Sequence, residues 1–545
     1  MERLKNFLAG AKNWFAARYY LATAPLMFLS FPSHDVWFLK GFPFFAWFSL
    51  APVFVFLRKK TLKEMVYHSF AVFLLGNLLA FSWIGNFGAE VSGGYTVILV
   101  FLIPSLTVFM VTKVVIAELL SRRFEALRPL IFPAAWILVD WVQSLGFLAF
   151  PWTYWGYSQY PFTAFIQMAR VTGVMGVTFT LVLVNTLAAD LWYRARSEEL
   201  QWKGLIRTAT FRKLAAAALA VILITVAGAS LLAMHAGQGR RDLRVAMVQS
   251  CIDPWDNWTR NRMRYLNQLA HYTFRAAREN PDLVIWSESA TLEMISYDYA
   301  AGTMNEFEQR VLELARVTGK PILTGEIGRQ DDAIRGVTYY QNNAVLIDAA
   351  GSVVKSYSKI NLVPFGEWFP YERWFRWVKS IVDSFGASSF TPGTELATFE
   401  VLGRKFGTLV CYEGIFFRHV RRYAALGVDF LVNITNDGWT DTYNGHMQHF
   451  SASVFRAVEN GLWMVRAGNT GYTTLVDPYG RVSASIPILI QGYLAGDMDF
   501  GLNHQTFYAR YGDVFSYAAF AFLGACCLIA VAGNIRKRKG GDTRS

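Results

Sequence analysis

Cysteine and charge are both scarce in this chain. Four cysteines, Cys251, Cys411, Cys526 and Cys527, occur in 545 residues. Cys526 and Cys527 are adjacent within an apolar run, where small, soft side chains simply pack. Pairing Cys251 with Cys411 would consume a thiol that its surroundings mark as reactive, so a structural disulfide is not expected. His446 and His449 lie three apart without a third ligand at suitable spacing, and no metal is expected. No G-x-x-x-x-G-K-[ST] loop occurs, which argues against a nucleotide activating the substrate. Charged residues make up 17% of the chain, with a formal net charge of +12. No basic and aromatic pattern on a helix or sheet accompanies that charge, so a nucleic-acid partner is not expected. Internal repeats and low-complexity segments are also absent.

Apolar residues are abundant: 53% of the chain is hydrophobic and 16% aromatic, with a mean hydropathy of +0.26. That is too apolar for two ordinary soluble domains and suits a multi-span helical membrane bundle carrying a polar domain. Candidate spans are 18–32, 43–57, 66–86, 95–120, 129–149, 163–193, 214–234 and 514–533. The two shortest need tilt, interfacial aromatics or a re-entrant path. The first lacks a convincing cleavage site and is followed by further spans, so it reads as a retained helix. Basic residues recur at every second connection: Arg3 to Arg18, Arg58 to Lys63, Arg122 and Arg123, Arg194 to Lys213, and Arg536 to Lys539. The connections between them, around Asp35, Glu90 and Trp152, are poor in positive charge. By the positive-inside rule both termini are cytoplasmic and the polar segment faces outward. The expected domains are a membrane part, 1–236, of about seven helices; an extracytoplasmic domain, 242–505; and a last helix, 512–535, with a basic tail, 536–545.

Within 242–505, apolar strands alternate with helically spaced segments, as at 243–249, 258–280, 283–286 and 305–318, which predicts a layered α/β sandwich. Three apolar runs end in chemically capable residues. Phe406 to Val410 leads into Cys411, Leu283 to Trp286 into Ser287 and Glu288, and the segment from Tyr357 carries Lys359 and Glu367. A thiol at the end of a buried strand is held clear of that strand, and a following helix would depress its pKa.

The motifs are VIWSES (284–289), YSKINLVPFGEWFP (357–370), LVCYEG (409–414), NDGW (436–439) and RAVENGLWMVRAGNTG (456–471). On these the outer segment resembles the nitrilase, or carbon–nitrogen hydrolase, superfamily. With FPWTYWGYSQ (150–159) and YARYGD (508–513) added, the whole chain is similar to the apolipoprotein N-acyltransferase family. Gly438 departs from the family's more usual Ala, and the wording after Gln249 is unusual. The resemblance implies a nitrilase-like αββα sandwich and a Glu288–Lys359–Cys411 triad, with Glu367 orienting it and Glu413 lining it. It also implies a substrate contact at Trp258, which with Tyr412 and Trp439 would either wall a lipid-facing pocket or pack in the core, and Asn436 of the NDGW motif is a further substrate-binding candidate.

In that chemistry Cys411 attacks an acyl carbonyl, Glu288 is the general base, and Lys359 with the backbone N–H after Cys411 stabilises the oxyanion. The implied donor is a membrane phospholipid. The implied acceptor is the α-amine of a diacylglyceryl-cysteine at an apolipoprotein N-terminus, reached through a thioester, without a cofactor. The implied location is the bacterial cytoplasmic membrane, with the catalytic domain on its outer, periplasmic face. Two other readings remain: a membrane-tethered amidase or nitrilase, and a non-catalytic scaffold. Admitting two bulky substrates in turn calls for a flexible flap at 361–395, with Gly366, Gly386 and Gly393 as its pivots.

Overall fold

The computed structural model describes residues 18–32, 42–88, 94–146, 149–152, 154–236, 240–332, 334, 336–364, 366–368, 390–440 and 442–541. Arg3, Lys5 and Lys12, Asp35 and Glu90, and most of the expected flap, including Gly386, lie outside them.

Among the described residues, five helices are long and apolar enough to cross a membrane: Leu62–Asn86, Leu99–Arg123, Ala169–Ser197, Ala209–Met234 and Val514–Asn534. The other three expected spans are shorter. The 18–32 run forms a single 3-10 turn, Tyr19–Ala22, and the eight-residue helix Thr23–Ser30. The 43–57 run splits into Pro43–Trp47 and Ala51–Leu57, each with a proline in its first turn. The 129–149 run ends early as the sixteen-residue helix Arg128–Gln143. Proline sets where a helix begins, and each of these helices falls short of the roughly 20 residues that a full crossing takes. All three pack into the same apolar core as the long helices. Charges inside the bundle are paired: Lys113 meets Asp140 at 2.5 Å with both side chains inaccessible to solvent, as burial in a low-dielectric interior demands.

The α/β domain consists of two six-stranded mixed sheets. The first contains β1 (Leu243–Gln249), β2 (Leu283–Ile285), β3 (Ile322–Asp332), β4 (Val337–Ile347) and β5 (Val353–Ser358). The second contains β6 (Thr398–Val401), β7 (Arg404–Val410), β8 (Phe430–Thr435), β9 (Trp463–Gly468), β10 (Thr473–Val476) and β11 (Val482–Ile486). The last strand, β12 (Gly492–Met498), returns to the first sheet, giving the orders β12-β1-β2-β3-β4-β5 and β11-β10-β9-β8-β7-β6. Inward side chains of both sheets, among them Val245, Ile285, Leu323, Val410, Val432 and Val465, form one apolar layer. The amphipathic helices Trp258–Ala277 and Glu306–Thr318 cover the first sheet and share a second core with it. A capping box of Asn305 and Glu308 starts the latter helix. Helices Phe417–Ala425 and Tyr443–Asn460 cover the second sheet, and their apolar residues are continuous with the membrane core. The result is the expected αββα sandwich, with one helical layer fused to the membrane bundle.

Polar ties fix this junction. Trp83 donates to Gln448 at 3.1 Å, Asn86 to the Thr440 carbonyl at 2.6 Å, and Arg170 to the Pro478 carbonyl at 3.0 Å. Gly173 turns the chain at φ 65° within the Ala169–Ser197 helix. A Cβ there would meet the Tyr508 ring at 2.7 Å, so both the dihedral and the close approach require glycine. The turn frees the Val174 amide to donate to the buried Glu459 at 2.8 Å. The two ends of the expected flap are also tied. The amides of Phe390 and Gly393 donate to the carbonyls of Glu367 and Lys359, each at 2.8 Å.

Candidate active site

Parallel pairing brings the reactive strand ends to one rim. β2 runs parallel to β3, and β5 shares that direction because β3–β4 and β4–β5 are both antiparallel. In the second sheet, β7 and β8 are parallel. Glu288, Lys359, Cys411 and Asn436 each follow the C-terminal end of one of these strands, β2, β5, β7 and β8. Their side chains or main chains meet across the sandwich, which no local feature of the sequence dictates.

Glu288 and Lys359 are almost fully buried, and Lys359 Nζ lies 3.3 Å from Glu288 Oε1. The same oxygen accepts from Asn342 Nδ2 at 2.8 Å, and Oε2 accepts from the Asn436 amide at 2.8 Å. The carboxylate is thereby held in one orientation. Burial works against the Lys359 cation, but Glu288, Glu367 and the nearby thiol together raise its pKa above the ordinary lysine value. The ammonium is therefore the resting form.

Cys411 differs from expectation. The chain leaves β7 through a five-residue 3-10 turn, Cys411–Ile415, and the longer helix starts only at Phe417. Burial, reinforced by Glu288, holds the thiol well above its ordinary pKa, and the opposing pull of Lys359 does not offset this. The resting sulfur is a thiol rather than a thiolate, so any attack by it would need a neighbouring base. Cys411 itself sits at φ 50°, a conformation costing an L-residue about 1–2 kcal/mol. Its carbonyl accepts from Asn433 Nδ2 and His449 Nε2, both at 3.2 Å, and these bonds help hold the turn. All four cysteines are free thiols.

The two supporting glutamates have distinct tasks. Glu367 accepts from Lys359 Nζ at 2.8 Å, from Asn342 Nδ2 at 2.7 Å and from the Val363 amide at 2.8 Å. Glu413 is fully buried; it accepts from Tyr357 Oη and the Ile360 and Asn361 amides on one oxygen and from the Val410 amide on the other, at 2.8–3.1 Å. It thus ties the end of β7 to the segment that carries Lys359. Glu367→Ala is expected to lower turnover by more than about tenfold, because a displaced ammonium stabilises the transition state less well. Steady-state rates check this; a loss under about threefold would match an exposed ion pair worth about 0–1 kcal/mol.

The aromatic residues are dispersed. Tyr412 donates to the Ala149 carbonyl at 2.7 Å and stacks on Trp152 at 6.4 Å, so it joins the site to the membrane part. Trp439 packs edge-on against Trp255 at 4.8 Å. Trp258 lies in the outer helical layer against Tyr265 and Phe307 and donates to Glu293 at 2.9 Å. Asn436 braces Glu288 through its amide and accepts from Asn469 Nδ2 at 3.0 Å.

Several positioning residues carry little signal in the sequence. Asn342 bridges Glu288 and Glu367 from within β4, and only the polar run Gln341 to Asn343 in an otherwise apolar strand hints at it. His449 Nδ1 lies 2.8 Å from Asp437, which is also paired with Arg466. Burial opposes the charge on Asp437, yet Arg466 and His449 hold its carboxyl far below the usual range. Donor atoms of Cys411, Asp437 and His449 lie within 4.8 Å of one another. Arg466 already engages that carboxylate, and a cation bound there would occupy the sulfur.

Two family models match the chain: the apolipoprotein N-acyltransferase N-terminal domain over residues 23–187 and the carbon–nitrogen hydrolase over residues 244–506. An apolipoprotein N-acyltransferase of Geobacter metallireducens is 30% identical over 521 residues, covering 93% of each chain. One from Chlorobaculum tepidum is 28% identical, covering 95% of this chain and 96% of its own. Among solved structures, the NitN amidase of Nesterenkonia sp. AN1 is 22% identical, with a TM-score of 0.36, over 49% of this chain and 96% of its own. With both domain models in sequence and near full-length coverage of such relatives, this chain belongs to the apolipoprotein N-acyltransferase family.

Proposed function

We propose that the chain moves an acyl group from a membrane phospholipid to the α-amine of a diacylglyceryl-cysteine at an apolipoprotein N-terminus, through a thioester on Cys411. The observation that carries this reading is the buried Glu288–Lys359–Glu367 group beside the raised thiol, on a rim joined directly to the membrane bundle. Cys411 attacks the ester carbonyl while Glu288 takes the thiol proton, so the S–C bond forms without a free thiolate beforehand. Lys359 and the Tyr412 amide face the negative charge that develops on the carbonyl oxygen. Collapse breaks the C–O bond, Glu288 returns the proton to the leaving lysophospholipid, and the thioester remains. The acceptor amine then attacks, gives its proton to Glu288, and the thiol recovers that proton on leaving.

The test supplies purified protein with acyl-labelled phospholipid and a diacylglyceryl-cysteine peptide. Label is expected in the peptide. Label released only as free fatty acid would favour the hydrolase reading, and label that never moves would favour a scaffold.

The positive-inside pattern supports a periplasmic site on a bacterial cytoplasmic membrane. Ile334, at the tip of the β3–β4 hairpin, is 98% exposed. A cysteine introduced by Ile334→Cys in a Cys527→Ser background is expected to react with an impermeant maleimide in intact spheroplasts. Reaction only after lysis would reverse the orientation.

A further inference from the structure

A cavity of about 210 Å³ opens between the outer end of the Arg128–Gln143 helix and the two segments leading away from Lys359 and Cys411. Its polar wall consists of Ser144, Asn361, Arg418, His419 and Arg422. That wall holds two guanidinium groups, an imidazole, an amide and a hydroxyl, and no carboxylate.

Two side chains of this wall carry an unspent donor. Arg418 uses Nε on Asp513 at 3.0 Å, and its guanidinium lies 4.1 Å over the Trp141 ring, yet its Nη2 is buried without a partner. The Asn361 Nδ2 is likewise buried and unpaired. The helix Phe417–Ala425 starts at the cavity with no side-chain cap at Phe416, so its first amides add to the same donor field. Buried donors without acceptors are costly, and a field of donors and cations is satisfied by an anion with several acceptor oxygens. Arginine is the side chain best matched to phosphate oxygens.

The position narrows the anion further. Trp141 and Ser144 mark the outer end of a membrane helix, the level at which amphipathic aromatics and lipid head groups sit. Asn361 is two residues from Lys359, no more than about 7 Å of chain, and its amide donates to Glu413 at 3.1 Å, two residues from Cys411. A phosphate in this cavity therefore rests on the two segments that carry Lys359 and Cys411.

We propose that this cavity binds the phosphodiester of the acyl donor's head group and so favours a phospholipid over an uncharged ester. The proposal rests on the acyl-transfer reading above. Free inorganic phosphate offers the same oxygens, and the experiment separates the two sources.

Acylation of Cys411 is followed by intact mass in wild type, Arg418→Gln and Arg422→Gln, with a diacyl phospholipid or the p-nitrophenyl ester of the same fatty acid. The variants are expected to lower kcat/KM for the phospholipid relative to the ester by at least roughly tenfold, the scale of one lost charge-assisted hydrogen bond. Millimolar phosphate is expected to compete with the phospholipid and not with the ester. Equal losses with both donors, or an unchanged ratio, would overturn the proposal. Phosphate competition with an unchanged ratio would mean that the cavity holds a free anion only, which also overturns it. If Arg418→Gln loses its fold along with the Asp513 pair, the exposed Arg422 carries the test alone. Wild type that accepts the ester and refuses the phospholipid would instead overturn the donor assignment, independently of the cavity.

Discussion

Protein incubated with phospholipid alone is expected to gain the mass of one acyl chain, carried on Cys411. A two-step transfer has to hold the acyl group covalently until its second substrate arrives. Of the four cysteines, Cys411 is the one placed beside both Glu288 and Lys359, whose charges act on its thiol. The added mass is expected to leave with neutral hydroxylamine or with acceptor peptide, and to be absent from Cys411→Ala. Cys411→Ser is expected to be far slower, because a hydroxyl ionises much less readily than a thiol and the base here is a carboxylate rather than an imidazole. Acyl mass persisting in Cys411→Ala would refute the covalent route.

Glu288→Gln and Lys359→Ala are each expected to lower transfer by about 10²–10⁴-fold with folding retained, the range for removing a general base or an oxyanion donor. The two are expected to part company at the thiol. Burial is the main cause of the raised Cys411 pKa, Glu288 raises it further, and Lys359 lowers it. Removing the Glu288 charge should therefore move the midpoint of the iodoacetamide alkylation profile of Cys411 to lower pH. Removing the Lys359 charge should move it to higher pH. A variant with near-normal transfer would drop out of the mechanism. Midpoints moving together would show that the losses come from disruption of the fold rather than from these charges.

The amphipathic helices of the α/β domain were legible because their apolar spacing is local. Trp258–Ala277 buries Tyr265, Leu266, Leu269 and Ala276 on one face, as the 3.6-residue period requires. The central strands β7, β8 and β9 were legible as short apolar runs. β6, β11 and β12 were not: β11 is mostly exposed along Val482 to Ser485, and β12 is only partly buried along most of its length. Such strands are specified by the neighbour they pair with rather than by their own pattern. The β3–β4 hairpin extends to the pair Asp332–Val337 through a polar stretch that reads as loop.

The sequence by itself determined the membrane class, the layered α/β domain and the identity of the three strand-end groups Glu288, Lys359 and Cys411, because composition, periodicity and motif wording are local properties. Only the tertiary structure decided that Asn342 joins Glu288 to Glu367, that Glu413 ties the two loops of the site together, and that Trp258 packs in the outer helical layer. It also decided that the thiol is raised rather than depressed. Desolvation and the distance between charges depend on which residues the two sheets and the bundle bring together from positions far apart in the chain.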